Sequence, residues 1–476
     1  MSRLIEFLSN VGEVKMKLIG RADELMALNE HRKKKGSQFV VIYGKRRVGK
    51  TSLIKAFSEH HHYVYFLADK TTESENLKAL GKTVGKHFED SILAKNGFKD
   101  WYDFFEYLKQ RISEKTIIAI DEFPYLAEGN KAVSSIFQKG WDETLSKLPI
   151  FLILCGSSIS MMESETLSYK APLYGRRTAQ MLVKPFPFLD AWNFYPKHNF
   201  DKFLEIYSVT GGNPAYLLKM QGARSLEQAL KKYVWKPVEL LFEEVEFILK
   251  EELREPRQYM SILRAIAFGC RKFGEIVNET GIEKGSLHKY LFTLEDLHLI
   301  EKEVPVTEKN PGKSRRGLYR IQDQFIKFWF SYVYPFKGEI ETGNTLSAFT
   351  QWEKSFIHVI AQNYELAAQE ILRKYQKRAF AFSRIGRWWE GNEEIDIVAL
   401  NEATNEILFA EVKWSNKQVG TNIYEDLKLK AAVVAWGKKE RKERFALFSK
   451  SGFTPDMRKL AREKGILLFE KDLLLR

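Results

Sequence analysis

Cysteine is scarce in this chain of 476 residues, since only Cys155 and Cys270 are present. Two cysteines do not build a disulfide framework, so the sequence indicates a reducing compartment. Long apolar runs are also missing, because the most apolar stretch, residues 151–154, is far too short to span a bilayer. Glu6 and Glu13 lie where a signal peptide would be uncharged and apolar. These absences predict a soluble cytoplasmic protein that makes no use of a membrane.

Acidic residues are outnumbered, with 62 Asp and Glu against 75 Lys and Arg, which gives a formal net charge of +13. Such an excess favours a polyanionic partner, nucleic acid first and an anionic membrane surface second. A hydrophobic content of 44% with 29% charged residues is ordinary for globular protein. The length predicts about three domains, each able to bury its own core.

Residues 40–57 organise the chain. A β-branched run ends in the pattern Gly-x-x-x-x-Gly-Lys-Thr, and a helical pattern follows, which is the context of a phosphate-binding P-loop. The glycines let successive backbone N–H groups face the phosphates, Lys50 neutralises phosphate oxygens, and the Thr51 hydroxyl is suited to Mg²⁺. The predicted nucleotide-binding residues are Gly44, Lys45, Arg46, Arg47, Val48, Gly49, Lys50 and Thr51.

A second apolar strand, residues 116–120, ends in Asp121 and Glu122. Parallel strands place their C-terminal residues at the ligand-binding edge of the sheet, so Asp121 is expected to serve Mg²⁺ and Glu122 to polarise the attacking water. The strand of residues 149–156 leads to Ser157 and Ser158, where a hydroxyl either senses the γ-phosphate or caps a helix.

Two guanidinium groups follow that strand, at Arg176 and Arg177. Either one is a candidate arginine finger, acting within the chain or across a subunit boundary, and a pair bound to surface carboxylates is the alternative. The sequence does not choose between the two arginines.

Together these motifs resemble the archaeal ATPase family, a branch of the P-loop machines related to AAA+ and STAND NTPases. The resemblance rests on Ile-Gly-Arg at 19–21, the P-loop, Ile-Asp-Glu-Phe-Pro-Tyr, Leu-Cys-Gly-Ser-Ser, Tyr-Gly-Arg-Arg-Thr and Thr-Gly-Gly-Asn-Pro at 210–214. It covers roughly residues 17–250 and implies an α/β core followed by a small helical lid. It also implies that Arg21 lies near the nucleotide base.

Residues 256–335 change in character. Helical spacing over 258–268 and 284–297, joined through a turn at Thr280-Gly281-Ile282, predicts a helix-turn-helix. Two short strand patterns then flank a basic Pro-Gly tip, which predicts a wing, with outward groups on the second helix and phosphate-binding cations on the tip. The outward groups are Ser286, His288 and Lys289; the tip cations are Lys309, Lys313, Arg315 and Arg316. DNA contact and protein packing both remain open for this module.

The last domain carries a second acidic site. A strand at 395–400 holds Asp396, and a strand at 407–414 holds Glu411 and Lys413 on one face, because side chains alternate along a strand. A hairpin would bring the three together, and Glu365 on the preceding helix is the best-placed further ligand, with Glu370 second. Converging carboxylates suit Mg²⁺ or Mn²⁺, and a neighbouring Lys assists attack on a phosphodiester.

This constellation resembles the PD-(D/E)XK nuclease superfamily and the uncharacterised C-terminal domain that accompanies the archaeal ATPases. The resemblance implies Glu365, Asp396 and Glu411 as metal ligands and Lys413 as the catalytic helper. One departure is Ile395, which stands where the usual proline precedes the aspartate. A buried ion-pair network in an inactive nuclease-like fold is the alternative.

The sequence therefore predicts an α/β protein: a P-loop NTPase core with a helical lid, a winged helix-turn-helix, and an α/β nuclease-like domain. The predicted limits are 1–16 for an N-terminal lead, 17–180 for the core, 181–255 for the lid, 256–335 for the winged helix and 336–476 for the last domain. The predicted function is Mg²⁺-dependent ATP hydrolysis coupled to DNA binding and DNA cleavage. The alternative is an ATP-controlled signalling or scaffolding switch, acting as a homo-oligomer or with a protein partner.

Overall fold

The computed structural model describes residues 18–438 and 440–475. The lead expected over residues 1–16 lies outside them. No helix among the described residues is long and apolar enough to cross a membrane. The chain forms two compact units, each described by itself. The first unit comprises the described residues up to Ile42 together with Gly49–Cys155 and Pro172–Met181, and the second comprises Tyr43–Val48, Gly156–Ala171 and the chain from Leu182 onward.

Helices and strands alternate in the first part of the chain, as the sequence predicts for an α/β core. In chain order the elements are α1 (Ala22–Lys33), β1 (Gln38–Tyr43), α2 (Lys50–Ser58), β2 (Tyr63–Leu67), α3 (Glu73–His87), α4 (Ser91–Asn96), α5 (Trp101–Arg111), β3 (Thr116–Asp121), α6 (Phe123–Gly129), α7 (Val133–Glu143), β4 (Ile150–Gly156), α8 (Ile159–Met162) and β5 (Ala179–Leu182).

These strands form a sheet in the order β2-β3-β4-β1-β5, and β3 pairs in parallel with both β2 and β4. Every residue of β1, β3 and β4 is buried. Strands covered by helices on both faces are continuous apolar runs, which is why the sequence pattern predicts them correctly. The parallel pairing brings the C-terminal ends of β2, β3 and β4 to one edge.

The second unit continues with helices. They are α9 (Phe188–Ala191), α10 (Phe200–Thr210), α11 (Pro214–Met220), α12 (Leu226–Tyr233), α13 (Leu240–Glu252), α14 (Pro256–Ala267), α15 (Phe273–Thr280) and α16 (Lys284–Asp296). An antiparallel pair follows, β6 (Ile300–Glu303) and β7 (Leu318–Ile321), and then α17 (Gln324–Tyr332) and α18 (Lys337–Glu341). All aromatic side chains of α17 are buried, so they serve packing: Phe325, Phe328, Trp329, Phe330 and Tyr332.

The C-terminal part begins with the long helix α19 (Leu346–Lys374) and contains β8 (Arg384–Glu390), β9 (Glu393–Asn401), β10 (Glu406–Lys413), α20 (Thr421–Ala432), β11 (Lys442–Ser449), α21 (Pro455–Lys464), β12 (Leu467–Glu470) and β13 (Leu473–Leu474). The sheet order is β13-β12-β11-β10-β9-β8. β10, β11 and β12 are parallel, whereas β8 and β9 form an antiparallel meander with β10.

One local prediction for this part is wrong. The sequence pattern predicts a strand at 379–384 and a turn at 386–394, but residues 379–383 are irregular and β8 occupies 384–390. Gly386 suggests a turn, yet it lies where the pairing register with β9 shifts, next to Val306. Trp388 then packs into the core opposite Ile395. Tertiary burial of the tryptophan decides the strand.

Candidate functional site

The P-loop backbone is bent at its glycines. Gly44 has φ 145° and Gly49 has φ 93°, both in the region that favours glycine. A Cβ at Gly44 would stand 2.3 Å from the backbone oxygen of Val183, so no larger residue fits. Gly49 precedes α2 and has no side chain to cap its first amides. These amides suit a phosphate group.

In the first unit, the hydroxyl of Thr51 on α2 contacts the carboxylate of Asp121 at the end of β3. The Thr51 hydroxyl donates to Asp121 Oδ2 at 2.6 Å, and the Tyr65 hydroxyl donates to the same oxygen at 2.8 Å. Asp121 is 1% exposed, and its Oδ1 accepts the backbone N–H of Glu122 at 3.0 Å. Burial, together with the Asp121 charge, raises the pKa of Tyr65. The donor set fits Mg²⁺, which prefers oxygen ligands of this kind.

The other charged residues predicted for this site are Lys50, Glu122 and Arg21. Lys50 is buried, and Glu122 is half-buried, with φ 55° at the turn from β3 into α6. A left-handed conformation at a residue other than glycine costs about 1 kcal/mol or more and is typical of functional sites. Arg21 also has a positive φ, of 62°, and its buried guanidinium pairs with Glu24 at 2.7 Å.

The two finger candidates have partners within the first unit. Arg176 lies 3.1 Å from Asp142, and Arg177 Nε donates to the Gln180 side chain at 2.8 Å. These contacts agree with the surface-pair alternative for Arg176 and leave the finger role a prediction. Ser158 caps a helix, since its hydroxyl accepts the Met161 N–H at 3.4 Å at the start of α8.

The C-terminal acidic residues gather on the strands that the sequence predicts. Asp396 Oδ2 accepts the backbone N–H of Val412 at 2.9 Å, which places β9 and β10 side by side at this point. Lys413 Nζ donates to Glu411 Oε1 at 2.8 Å, so these two residues share a face. Asp396 and Glu411 are both buried. Lys430 on α20 lies 3.5 Å from the same Glu411 oxygen, a partner that sequence spacing does not reveal.

A second cation missed by sequence reasoning is Arg387 on β8. Its guanidinium lies 3.9 Å from Glu365 Oε2, 3.6 Å from Glu303 Oε2 and 3.0 Å from Glu394 Oε2. Glu303 is on β6, so this arginine connects the strand pair that the sequence predicts as a wing with the acidic centre. The only sequence signal is a charged residue next to two tryptophans, Trp388 and Trp389.

Burial and mutual repulsion change the titration of the acidic centre. Burial, then the charge of Asp396, raises the pKa of Glu365 to about 8. Burial, then the charge of Glu411, raises the pKa of Asp396 to about 6. Burial by itself would lower the pKa of Lys413, but the charge of Glu411 and its hydrogen bond have a larger effect. The pKa of Lys413 is therefore raised. Like charges in a shared buried site favour the protonated acid.

The expected metal ligands do not form a metal-binding group here. Within the described residues, no three His, Cys, Asp or Glu side chains are arranged to hold an ion. Glu370, the second choice on the helix, accepts the backbone N–H groups of Phe188 and Leu189 at 3.0 and 3.1 Å and so caps α9 instead. A metal bound by Glu365, Asp396 and Glu411 stays a prediction.

The basic loop between β6 and β7 divides into two parts. Lys309, Lys313 and Arg315 are exposed. Arg316 has partners within the chain. Its guanidinium contacts the Trp389 carbonyl and pairs with Glu308 at 3.4 Å, and the Trp389 indole donates to the Arg316 carbonyl at 3.2 Å. The contact of Arg316 with phosphates stays a prediction, since acceptors on β8 and Glu308 already engage part of its guanidinium.

Two family models match separate parts of the chain. Residues 18–220 match a family described as an ATPase domain predominantly from Archaea, and residues 329–423 match one described as archaeal and bacterial proteins of unknown function. An uncharacterised protein of Methanocaldococcus jannaschii is 38% identical over 421 residues, which cover 87% of this chain and 92% of that protein.

Solved structures align with a large part of the chain. A Walker-type ATPase of Pyrococcus abyssi is 24% identical, with a TM-score of 0.49, covering 66% of this chain and 96% of its own. The Aeropyrum pernix ORC2 protein, solved with ADPNP and ADP, is 14% identical, with a TM-score of 0.42, covering 70% of this chain and 97% of its own.

The acidic centre predicts a pH dependence of stability. The pKa of Glu365 is about 8 in the folded chain, against about 4.3 in an unfolded one. Between these values the folded state keeps a proton that the unfolded state has released, so stability present near pH 4 is lost as the pH rises through about 8. We expect the melting temperature to fall more steeply from about pH 5 to about pH 8 in the wild type than in Glu365→Gln, by calorimetry. Glu353→Gln, exposed on the same helix, should keep the wild-type slope; equal slopes in all three proteins would contradict the shift.

Proposed function

The chain belongs to the ATPase family found predominantly in archaea, and we propose that it binds and hydrolyses ATP with Mg²⁺ at the P-loop and couples this cycle to DNA binding. The observation that carries the proposal is the 2.6 Å contact between the Thr51 hydroxyl and the buried Asp121 carboxylate. A threonine at the end of a P-loop and an aspartate at the end of a neighbouring strand are the pair that P-loop enzymes use for Mg²⁺.

The roles follow from position. Backbone amides of residues 44–49 hold the phosphates, Lys50 neutralises their charge, and Arg21 contributes next to the base. Thr51 and Asp121 hold Mg²⁺, which when bound offsets the negative charge of the phosphates. Glu122, directly after β3, orients the attacking water and accepts its proton. Asp121 is kept in place by Tyr65 and by the Glu122 amide.

DNA binding is proposed for the module of residues 256–335. Three helices followed by an antiparallel strand pair are the element order of a winged helix. His288 and Lys289 are exposed on α16, although His288 stacks on Phe273 at 4.3 Å between ring centroids. The exposed cations Lys309, Lys313 and Arg315 add a phosphate-binding loop. We retain the limits 17–180, 181–255, 256–335 and 336–476 as the proposed domains.

The ATPase proposal is tested by turnover with Mg²⁺. Lys50→Ala removes a cation that stabilises the negative charge of the transition state, and Asp121→Asn weakens the hold on Mg²⁺. We expect kcat to fall by about 100-fold or more in each. Lys82→Ala removes a lysine from the exposed side of α3 and should keep wild-type turnover. Phosphate release with a coupled assay measures all four proteins. Turnover that survives unchanged in Lys50→Ala would remove the hydrolysis proposal.

The DNA proposal is tested by a charge-matched pair of triple variants. Alanine at Lys309, Lys313 and Arg315 should weaken binding to duplex DNA, and the slope of log affinity against log salt should fall by about 0.9 for each phosphate that the protein no longer neutralises. Alanine at Lys459, Arg462 and Lys464, on exposed positions of α21, removes the same charge elsewhere. Fluorescence anisotropy at several salt concentrations compares them. An equal weakening in both variants would show a general charge effect, and absence of DNA binding in the wild type would favour the protein-binding switch.

A specific observation supports each of two roles for the C-terminal centre. Glu411 Oε2 is buried with no hydrogen-bond partner among the described residues, as expected of an atom reserved for a ligand. Against this, the Glu411 and Glu365 carboxylates already have protein cations beside them, and Asp396 accepts a backbone amide. The Glu411 Oε2 atom makes metal-dependent DNA cleavage, with Lys413 as helper, the second candidate function. The ion pairs favour its alternative, an inactive binding module.

Cleavage is tested with supercoiled plasmid and Mn²⁺. If the centre is a nuclease, the wild type nicks the plasmid and Asp396→Ala does not, because one of three metal ligands is gone. In that case Glu393→Ala, which changes an exposed acid on the same strand, nicks the plasmid as the wild type does. The ion pairs lead us to expect no nicking by any of the three; nicking that depends on Asp396 would establish the nuclease role instead.

A further inference from the structure

The three cations in the middle of the P-loop belong to the second unit, and each of them meets a carboxylate of that same unit. Lys45 lies 3.3 Å from Asp323, and Arg46 lies 3.3 Å from Glu251. Arg47 is in ionic contact with Glu244. Glu244 and Glu251 are on α13, and Asp323 is the residue that caps the start of α17. P-loop function requires the backbone amides of this segment, not its side chains, so the pairs need another explanation.

Glu244 is the most deeply placed of these carboxylates. It is 1% exposed, whereas Arg47 remains 22% exposed in its side chain. The Tyr216 hydroxyl donates to Glu244 Oε1 at 2.7 Å, and Tyr216 itself packs on Phe325 with ring centroids 4.7 Å apart. A buried carboxylate costs several kcal/mol unless it is paired and hydrogen-bonded. The Tyr216 hydroxyl therefore fixes the position of the Glu244 carboxylate, and Arg47 supplies the opposite charge.

Arg47 needs such an anchor because its backbone is unusual. Its φ of 65° lies in the left-handed region, which a residue with a side chain rarely adopts. Strain of this kind persists only where the surroundings fix it. The ion pair with a rigid, buried carboxylate supplies that constraint in the loop whose amides are to face the phosphates.

Asp323 and Glu252 show that the same helices are themselves firmly placed. Asp323 accepts the first amides of α17, those of Phe325 and Ile326, at 3.0 and 3.2 Å. Glu252, at the end of α13, accepts the backbone N–H groups of Ile159 and Ser160 at 3.0 and 3.2 Å. Helix α13 thus holds the P-loop through Glu244 and the segment after β4 through Glu252.

We propose that Glu244 is a positioning residue for nucleotide binding, which acts through Arg47 to hold the P-loop backbone in its phosphate-binding shape. The inference rests on the proposed ATP site and adds a residue that no P-loop motif contains. Its consequence is that nucleotide affinity depends on α13. Loss of the Glu244 charge should raise the KM for ATP while kcat changes little, because Lys50, Asp121 and Glu122 are untouched.

The test is the variant Glu244→Gln, which keeps the size of the side chain and removes its charge. We expect the Kd for fluorescent mant-ATP with Mg²⁺ to rise about 10-fold and the KM with it, with kcat within about twofold of the wild type. Glu243→Gln, the exposed neighbour on the same helix, is the matched control and should bind as the wild type does. Glu244→Gln with wild-type affinity overturns the inference.

A double-mutant cycle separates positioning from general destabilisation. If Glu244 acts through Arg47, the double variant should have nearly the Kd of Arg47→Gln alone, within about twofold. If instead the two single changes multiply their effects on the Kd in the double variant, the inference is overturned. If Glu244→Gln does not fold, Tyr216→Phe, which removes only the hydroxyl that holds Glu244, should raise the Kd about two- to threefold, and an unchanged Kd overturns the inference. A wild type that does not bind mant-ATP would refute the ATP site itself, whereas binding by the wild type and Glu244→Gln alike refutes only the role of Glu244.

Discussion

Taking a carboxylate out of water costs several kcal/mol unless cations or hydrogen-bond donors replace its hydration. This protein buries Asp121, Glu244, Asp396 and Glu411, and each has partners that fix its position. Asp121 is held by two hydroxyls and a backbone amide, and Glu244 by a tyrosine and an arginine. The need to satisfy buried charge therefore determines the local geometry of both candidate sites.

The same requirement has different consequences at the two sites. Around Asp121 the partners are neutral hydroxyls and an amide, which leave the negative charge available to a cation. Around Glu411 the partners are Lys413 and Lys430, so its negative charge is already offset within the chain. A divalent ion would have to compete with these lysines. The physical chemistry therefore supports a cation-dependent role more strongly for the first site than for the second.

Charge pairing also joins segments of the second unit that are far apart in sequence. Arg387 bridges Glu303 on β6 and Glu365 on α19, and Arg316 contacts the β8 backbone at Trp389. The strand pair that resembles a wing is thus bound to the acidic centre by ion pairs and hydrogen bonds.

The sequence by itself determined the α/β core, the P-loop, Asp121 at the end of β3, and the shared face of Glu411 and Lys413. These follow from patterns a few residues long, because strand and helix periodicity and turn chemistry act locally. Only the tertiary structure decided that Arg316 contacts β8, that β8 runs through Trp388 and that Glu370 caps α9. It also decided that Arg387 lies beside Glu365 and that Glu244 lies beside Arg47. Lys45 and Asp323 are 278 positions apart, and no local pattern reports such a pair, since the energy of a buried charge depends on which distant groups the folded chain brings beside it.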